Sequence, residues 1–141
     1  MINSLFKIPA LLTLCVVFLS GLGNASDNLS ARLTAQNFME LTTQGKSAEA
    51  IQLYMHPRVK ELLGDVLTDG VAQQQAYGAN LGGFQSIEMI SEHQLGNRLV
   101  KYEYVIYTPS LPVAYVLYVY SSDEGWKVTS FQFDTDLSML K

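Results

Sequence analysis

Cysteine is nearly absent from this 141-residue chain, which has only Cys15. A disulfide framework is therefore excluded, and so is any zinc site built from several thiolates. Histidine is scarce too, limited to His56 and His93. Basic residues number nine against thirteen acidic ones, for a net charge of −4, which gives no footprint for nucleic acid or an anionic membrane surface. Charged residues make up only 16% of the chain and hydrophobic ones 48%. The length suits one domain.

The first apolar run carries an address rather than a fold. Lys7 precedes Ile8 to Leu19, and the small residues Gly21, Gly23 and Ala25 follow. This order of charge, apolar stretch and small residues reads as a secretory signal peptide over residues 1–25. Cleavage after Ala25 leaves a single domain, 26–141, that is periplasmic or secreted and has no cysteine. Contact with a membrane is expected only through an uncleaved leader.

Helical periodicity follows. Leu29, Leu33, Phe38 and Leu41, with Ala31 and Ala35, mark a helix over Leu29 to Thr42 that ends at Thr43-Gln44-Gly45. Ser47 is a candidate N-cap for a second helix carrying Ala48, Ile51, Tyr54 and Met55, which His56-Pro57 breaks. Val59, Leu62 and Leu63 mark a short helical piece, and a further helix contains Leu67, Val71 and Gln74. Gly82-Gly83 then suits a tight passage from helices to strands.

The period changes to two in the second half. Strands are expected at Gln85 to His93, Leu99 to Thr108, Val113 to Ser121 and Trp126 to Phe133, with turn residues at Gly96-Asn97 and Asp123-Glu124-Gly125. Their short connections predict an antiparallel meander. Both faces of the two central strands carry apolar bulk. One helical layer hides only one face, so the other is expected to form a homodimer interface, or the sheet to enclose a pocket.

Six tyrosines fall on these two strands: Tyr102, Tyr104, Tyr107, Tyr115, Tyr118 and Tyr120. They are the candidate binding or interface residues, with Gln74 as the pocket-facing choice on its helix. An acid–base reaction needs a carboxylate beside a donor, so Glu103 is a weak catalytic candidate, as is His93. Strand alternation places Glu103 opposite Tyr102 and Tyr104, and it places His93 with Ile87, Met89 and Ser91. The serines lie in no nucleophile motif. Asp134 and Asp136 read as a solvated tail. No metal or cofactor is expected, and no pattern decides whether the chain is an enzyme.

From about Leu29 to Phe133 the chain resembles the NTF2-like (cystatin-like) superfamily. More narrowly, it is similar to small secreted domains of the uncharacterised DUF3887-like type. The likeness rests on the helix ending near Gly45, Ala48-Glu49-Ala50-Ile51 with Tyr54, Val59-Lys60-Glu61-Leu62-Leu63, Leu81-Gly82-Gly83-Phe84-Gln85-Ser86-Ile87, and Gly125-Trp126-Lys127-Val128. It implies an α+β cone, with N-terminal helices packed on a strongly curved antiparallel sheet and a pocket between them. Such scaffolds host binding domains as well as isomerases and dehydratases. The leading expectation is thus an exported noncatalytic domain for a small hydrophobic ligand or a protein partner. The alternatives are a small-molecule isomerase or dehydratase and a structural homodimer.

Overall fold

The computed structural model describes residues 20–141, with side chains from Asp27 onward. The apolar part of the expected leader lies outside the described residues. Helix α1 (Ser20–Thr43) is followed by α2 (Ser47–Tyr54), α3 (Pro57–Leu62) and α4 (Gly64–Asn80). Strands β1 (Ser86–Gln94), β2 (Leu99–Tyr107), β3 (Val113–Ser122) and β4 (Gly125–Asp134) then form one sheet. A 3-10 turn at Leu137–Met139 closes the described chain.

The α+β class and the antiparallel meander form as the sequence leads one to expect, with strand order β1-β2-β3-β4. The strongly curved cone does not form. The sheet has four strands, with β1 and β4 as its edges, and it is neither strongly curled nor closed. No strand precedes the helices among the described residues, so nothing extends the sheet around them.

α1 packs through Ala31, Ala35 and Phe38 of the expected stripe but not through Leu29 and Leu33. Ala31, Ala35, Phe38, Met39 and Thr42 are buried, whereas Leu29 and Leu33 are about half exposed. These buried positions repeat at helical spacing, and the alanines let α1 approach the strands closely. Ser47 is the first residue of α2 rather than its cap, since Lys46 precedes the helix and makes no side-chain cap bond. His56 does cap a helix. Its Nδ1 accepts from the Arg58 N–H at 3.1 Å, with Pro57 at the first position of α3. The His56 N–H also donates to the Val128 carbonyl at 2.9 Å, which fixes the start of α3 against β4.

The inner sheet face presents Val100, Tyr102, Tyr104, Ile106, Val113, Tyr115, Leu117 and Val119 to the helices. Val105, Ala114 and Val116 are also buried, but they lie outside that core, on the opposite face. Residues 135–141 occupy part of this face. Their 3-10 turn packs against β3, Met139 and Leu140 are half-buried, and the Lys141 N–H donates to Glu103 Oε1 at 3.2 Å. Asp134 and Asp136 are exposed, as expected of a solvated tail, and Asp136 accepts from the Ser138 N–H at 2.9 Å and caps the turn.

Gly82 and Gly83 both have positive φ, at +91° and +97°. A Cβ on Gly82 would meet Pro109 Cγ at 3.1 Å, whereas one on Gly83 would meet nothing within 4 Å. Gly82→Val is therefore expected to combine backbone strain with a clash and cost about 2–3 kcal/mol, while Gly83→Ala carries strain alone at about 1 kcal/mol. Urea unfolding of both variants checks the order, and equal losses would contradict it.

Candidate functional site

Helix α4 places Gly70, Gln74 and Tyr77 on one side at helical spacing. Gly70 lies against Phe131, whose Cζ would sit 3.6 Å from an added Cβ. Tyr77 meets Phe133 edge-on, with ring centroids 5.5 Å apart. Between α3, α4 and β4 lies an open cleft of about 570 Å³. Its lining is chiefly apolar and includes Val59, Leu63, Leu67, Gly70, Phe131 and Phe133. Asp69 is its single charged lining residue. A cleft of this size accommodates a small organic molecule.

Behind the cleft's aromatic floor, Tyr115 is sandwiched between Phe131 and Phe133. Both ring pairs are stacked at 5.9 Å, with interplanar angles of 18° and 19°. The cause is cross-strand register: Tyr115 pairs with Phe133, and Leu117 with Phe131. Thr42 from α1 and Gln74 from α4 adjoin the Tyr115 hydroxyl. Burial pushes that hydroxyl's pKa up, and the two neighbours oppose the shift. Gln74 and Thr42 act on it as hydrogen-bonding neighbours, and all three groups are buried.

The other tyrosines separate by face. Tyr102 is fully buried on the inner side, and its hydroxyl lacks a partner. Tyr104 lines a smaller groove of about 330 Å³ between α1 and β1, together with Arg32, Met39, Ile87 and Met89. Burial raises the pKa of both hydroxyls. On the outer face, Tyr107 is exposed and donates to Glu88 Oε2 at 2.6 Å, a bond that raises its pKa. Tyr118 and Tyr120 are half-buried there, with the Arg98 guanidinium 4.9 Å from the Tyr120 ring centroid. The six rings therefore line no common wall.

Glu103 and His93 do come together, on the outer face. A bulge between Met89 and Ser91 reverses the parity of β1, so that Met89 pairs with inward Tyr104 while Ser91 pairs with outward Glu103. His93 accordingly parts from Ile87 and Met89, correcting the alternation expected from sequence. Ser91 Oγ donates to Glu103 Oε2, Lys101 Nζ donates to Oε1 at 2.5 Å, and His93 Nε2 lies 4.0 Å from Oε2. Burial raises the Glu103 pKa, but the hydrogen bonds from Lys101, Ser91 and the Lys141 N–H, with the Lys101 charge, lower it overall. A carboxylate held ionised in this way is a poor general base near neutrality. Neither Glu103 nor His93 lines the α4–β4 cleft or the α1–β1 groove.

Among the described residues, no cluster of three or more His, Cys, Asp or Glu side chains is placed to hold a metal ion. No described helix is long and apolar enough to cross a membrane.

Comparison with known proteins bears on the fold. No family model and no curated protein matches the chain. Among solved structures, it is similar to "Putative NTF2-like transpeptidase" from Campylobacter jejuni. The TM-score is 0.55 and the identity 17%, over 68% of this chain and 94% of the other. The NTF2-like likeness is thus one of fold. The narrower DUF3887-like kinship gains no support from it.

Sequence reasoning missed the cleft itself, because Gly70, Phe131 and Phe133 meet only across α4 and β4. The shared side of Leu67, Val71 and Gln74 pointed toward it only in part, since Leu67 lines the cleft and the other two do not.

Because the Glu103 pKa is lowered on folding from the ordinary value of 4.5, its contribution is fully present above that value. The contribution disappears as pH falls through the lower folded value. Glu103→Gln is expected to cost about 1–3 kcal/mol at pH 7 and to converge on the parent's stability in acid. Urea unfolding from pH 7 down to pH about 2 tests this. A pH-independent difference would refute the ion-pair account.

Proposed function

We propose that this chain is an exported, noncatalytic binding domain that takes a small apolar molecule into the cleft between α3, α4 and β4. The observation that carries the reading is an accessible cleft of about 570 Å³ floored by Phe131 and Phe133, with a half-exposed helix as its other wall. Export rests on the order of Lys7, the Ile8 to Leu19 run and the small residues before Ser26. The NTF2-like fold supports the placement of a ligand between helices and sheet by analogy. Kinship with the DUF3887-like domains is the narrower reading, and it rests on the sequence segments from Gly45 to Val128 named above.

The chemistry of the lining favours binding over acyl transfer, which the printed name of the Campylobacter jejuni protein brings to mind. No histidine, lysine or cysteine lines the cleft. Of its hydroxyls, Thr129 Oγ1 approaches the Tyr118 carbonyl at 3.5 Å, and Ser130 lies on β4 with no histidine or lysine in the lining to act as its base. The outer face, where a second copy was expected, is partly occupied by residues 135–141, so the binding unit proposed is one chain.

Titration with the neutral fluorophore N-phenyl-1-naphthylamine tests the reading. Gly70→Leu projects a side chain into the cleft against Phe131 and replaces a helix-interior glycine with a good helix former. Saturable one-to-one binding is expected, weakened about tenfold or more in Gly70→Leu with the melting temperature unchanged or higher. No saturable binding, or equal binding by the variant, would overturn the assignment.

A further inference from the structure

Strand β4 is an edge of the sheet, and its free side opens into the cleft. Thr129, Ser130, Phe131, Gln132 and Phe133 are consecutive, and all five line the cleft. Side chains alternate between faces along a strand, so five in a row place the cleft along the strand's backbone edge rather than over one of its faces. On an edge strand, alternate residues point their N–H and C=O groups away from the neighbouring strand, open to another chain.

The chain itself already uses the start of this edge. Met55 forms a parallel bridge with Val128, and the His56 N–H donates to the Val128 carbonyl at 2.9 Å. Pro57 then starts α3 and carries the chain away from the sheet. Among the described residues, no other segment outside the sheet makes a backbone–backbone hydrogen bond to β4. Thr129 is an extra residue in the β4 register, and pairing with β3 is regular from Ser130 to Asp134. That stretch offers about 17 Å of edge. It has no lysine or proline to blunt it, and its one charge, Asp134, lies at the far end.

We propose that the β4 edge between Ser130 and Asp134 takes an extended peptide segment of a protein partner as an added strand, with the segment's alternate apolar side chains entering the cleft. The inference rests on the open cleft of the function proposed above and goes beyond it. The peptide's side chains take the space assigned there to a small apolar molecule, and its backbone takes the strand edge.

Register fixes the pattern that such a segment needs. Phe131 and Phe133 turn to the helices, pairing with inner-face Leu117 and Tyr115, whereas Ser130 and Gln132 pair with outer-face Tyr118 and Val116 and are exposed. An added strand follows the same pleat, so its inward residues meet Val59, Leu63, Leu67 and the two rings, while its outward residues lie beside Ser130 and Gln132. β-branched apolar residues alternating with polar ones suit that bed. Asp69 is the cleft's single charged lining residue, so a basic residue in the segment is favoured over an acidic one. The other edge, β1, is a poorer receiver, because it carries the bulge after Met89 and the carboxylates Glu88 and Glu92.

The probe is the peptide acetyl-KTVTVTV-amide, titrated into isotope-labelled whole protein and followed by NMR. Saturable binding tighter than about 1 mM is expected. It should shift the amides of Ser130 to Asp134, slow their hydrogen exchange and displace N-phenyl-1-naphthylamine. Two N-methylated peptides, one methylated at its valines and the other at its threonines, keep every side chain but each lose the amide hydrogens along one strand edge. One of the two is expected to bind about tenfold or more weakly than the other. Equal binding by both, or shifts confined to β1, would overturn the strand addition. Failure of the unmethylated peptide while naphthylamine still binds defeats this inference alone, whereas loss of naphthylamine binding as well defeats the cleft assignment.

Discussion

Strand β3 has no solvent-facing side from Val113 to Leu117, and this double burial constrains everything around it. On the inner side it commits Tyr115 to a stack between two phenylalanines of β4. On the outer side it commits the 3-10 turn at Leu137–Met139 to lie back against it. The hydrophobic effect drives both coverings, since each removes apolar strand surface from water. The inner one carries the Tyr115 hydroxyl into the interior beside Gln74 and Thr42.

The two bulges divide the sheet's chemistry. In β1, the irregularity after Met89 sends Ser91 and His93 to the outer face, where they join Lys101 around Glu103. The charged cluster is thereby separated by the full thickness of the sheet from the aromatic cleft. In β4, the register shift opposite Tyr118 and Val119 keeps Val128 in the core alongside Phe131 and Phe133. The result is an ionic anchor on one face and a chiefly apolar cleft on the other. An enzyme built on Glu103 would need those two environments joined.

Much of this architecture was legible from period and turn chemistry. The change of period at Gly82-Gly83 marks where helices give way to strands, and alternation along Leu99 to Tyr107 and Val113 to Tyr120 sorts both central strands into two faces without saying which turns inward. Gln74 was likewise legible as an inward residue from its spacing with Leu67 and Val71. What escaped was whatever a single inserted residue or a tertiary contact decides. The β1 bulge displaces His93 from its expected face, and no local pattern announces it. The expected cone came from resemblance, and four strands with two free edges do not build it. The covering of the outer face by Met139 and Leu140 escaped because so short a segment carries no periodicity. On α1, Ala31, Ala35 and Phe38 were legible as packing residues, whereas Leu29 and Leu33 were assigned to the same stripe for their bulk and are about half exposed.

Intermolecular NOEs between bound N-phenyl-1-naphthylamine and ring-labelled protein test the central claim most directly. Cross-peaks to Phe131, Phe133 and Tyr77, with none to Tyr118 or Tyr120, are the predicted result. Cross-peaks confined to the outer-face rings would show that the molecule binds elsewhere and would contradict the account.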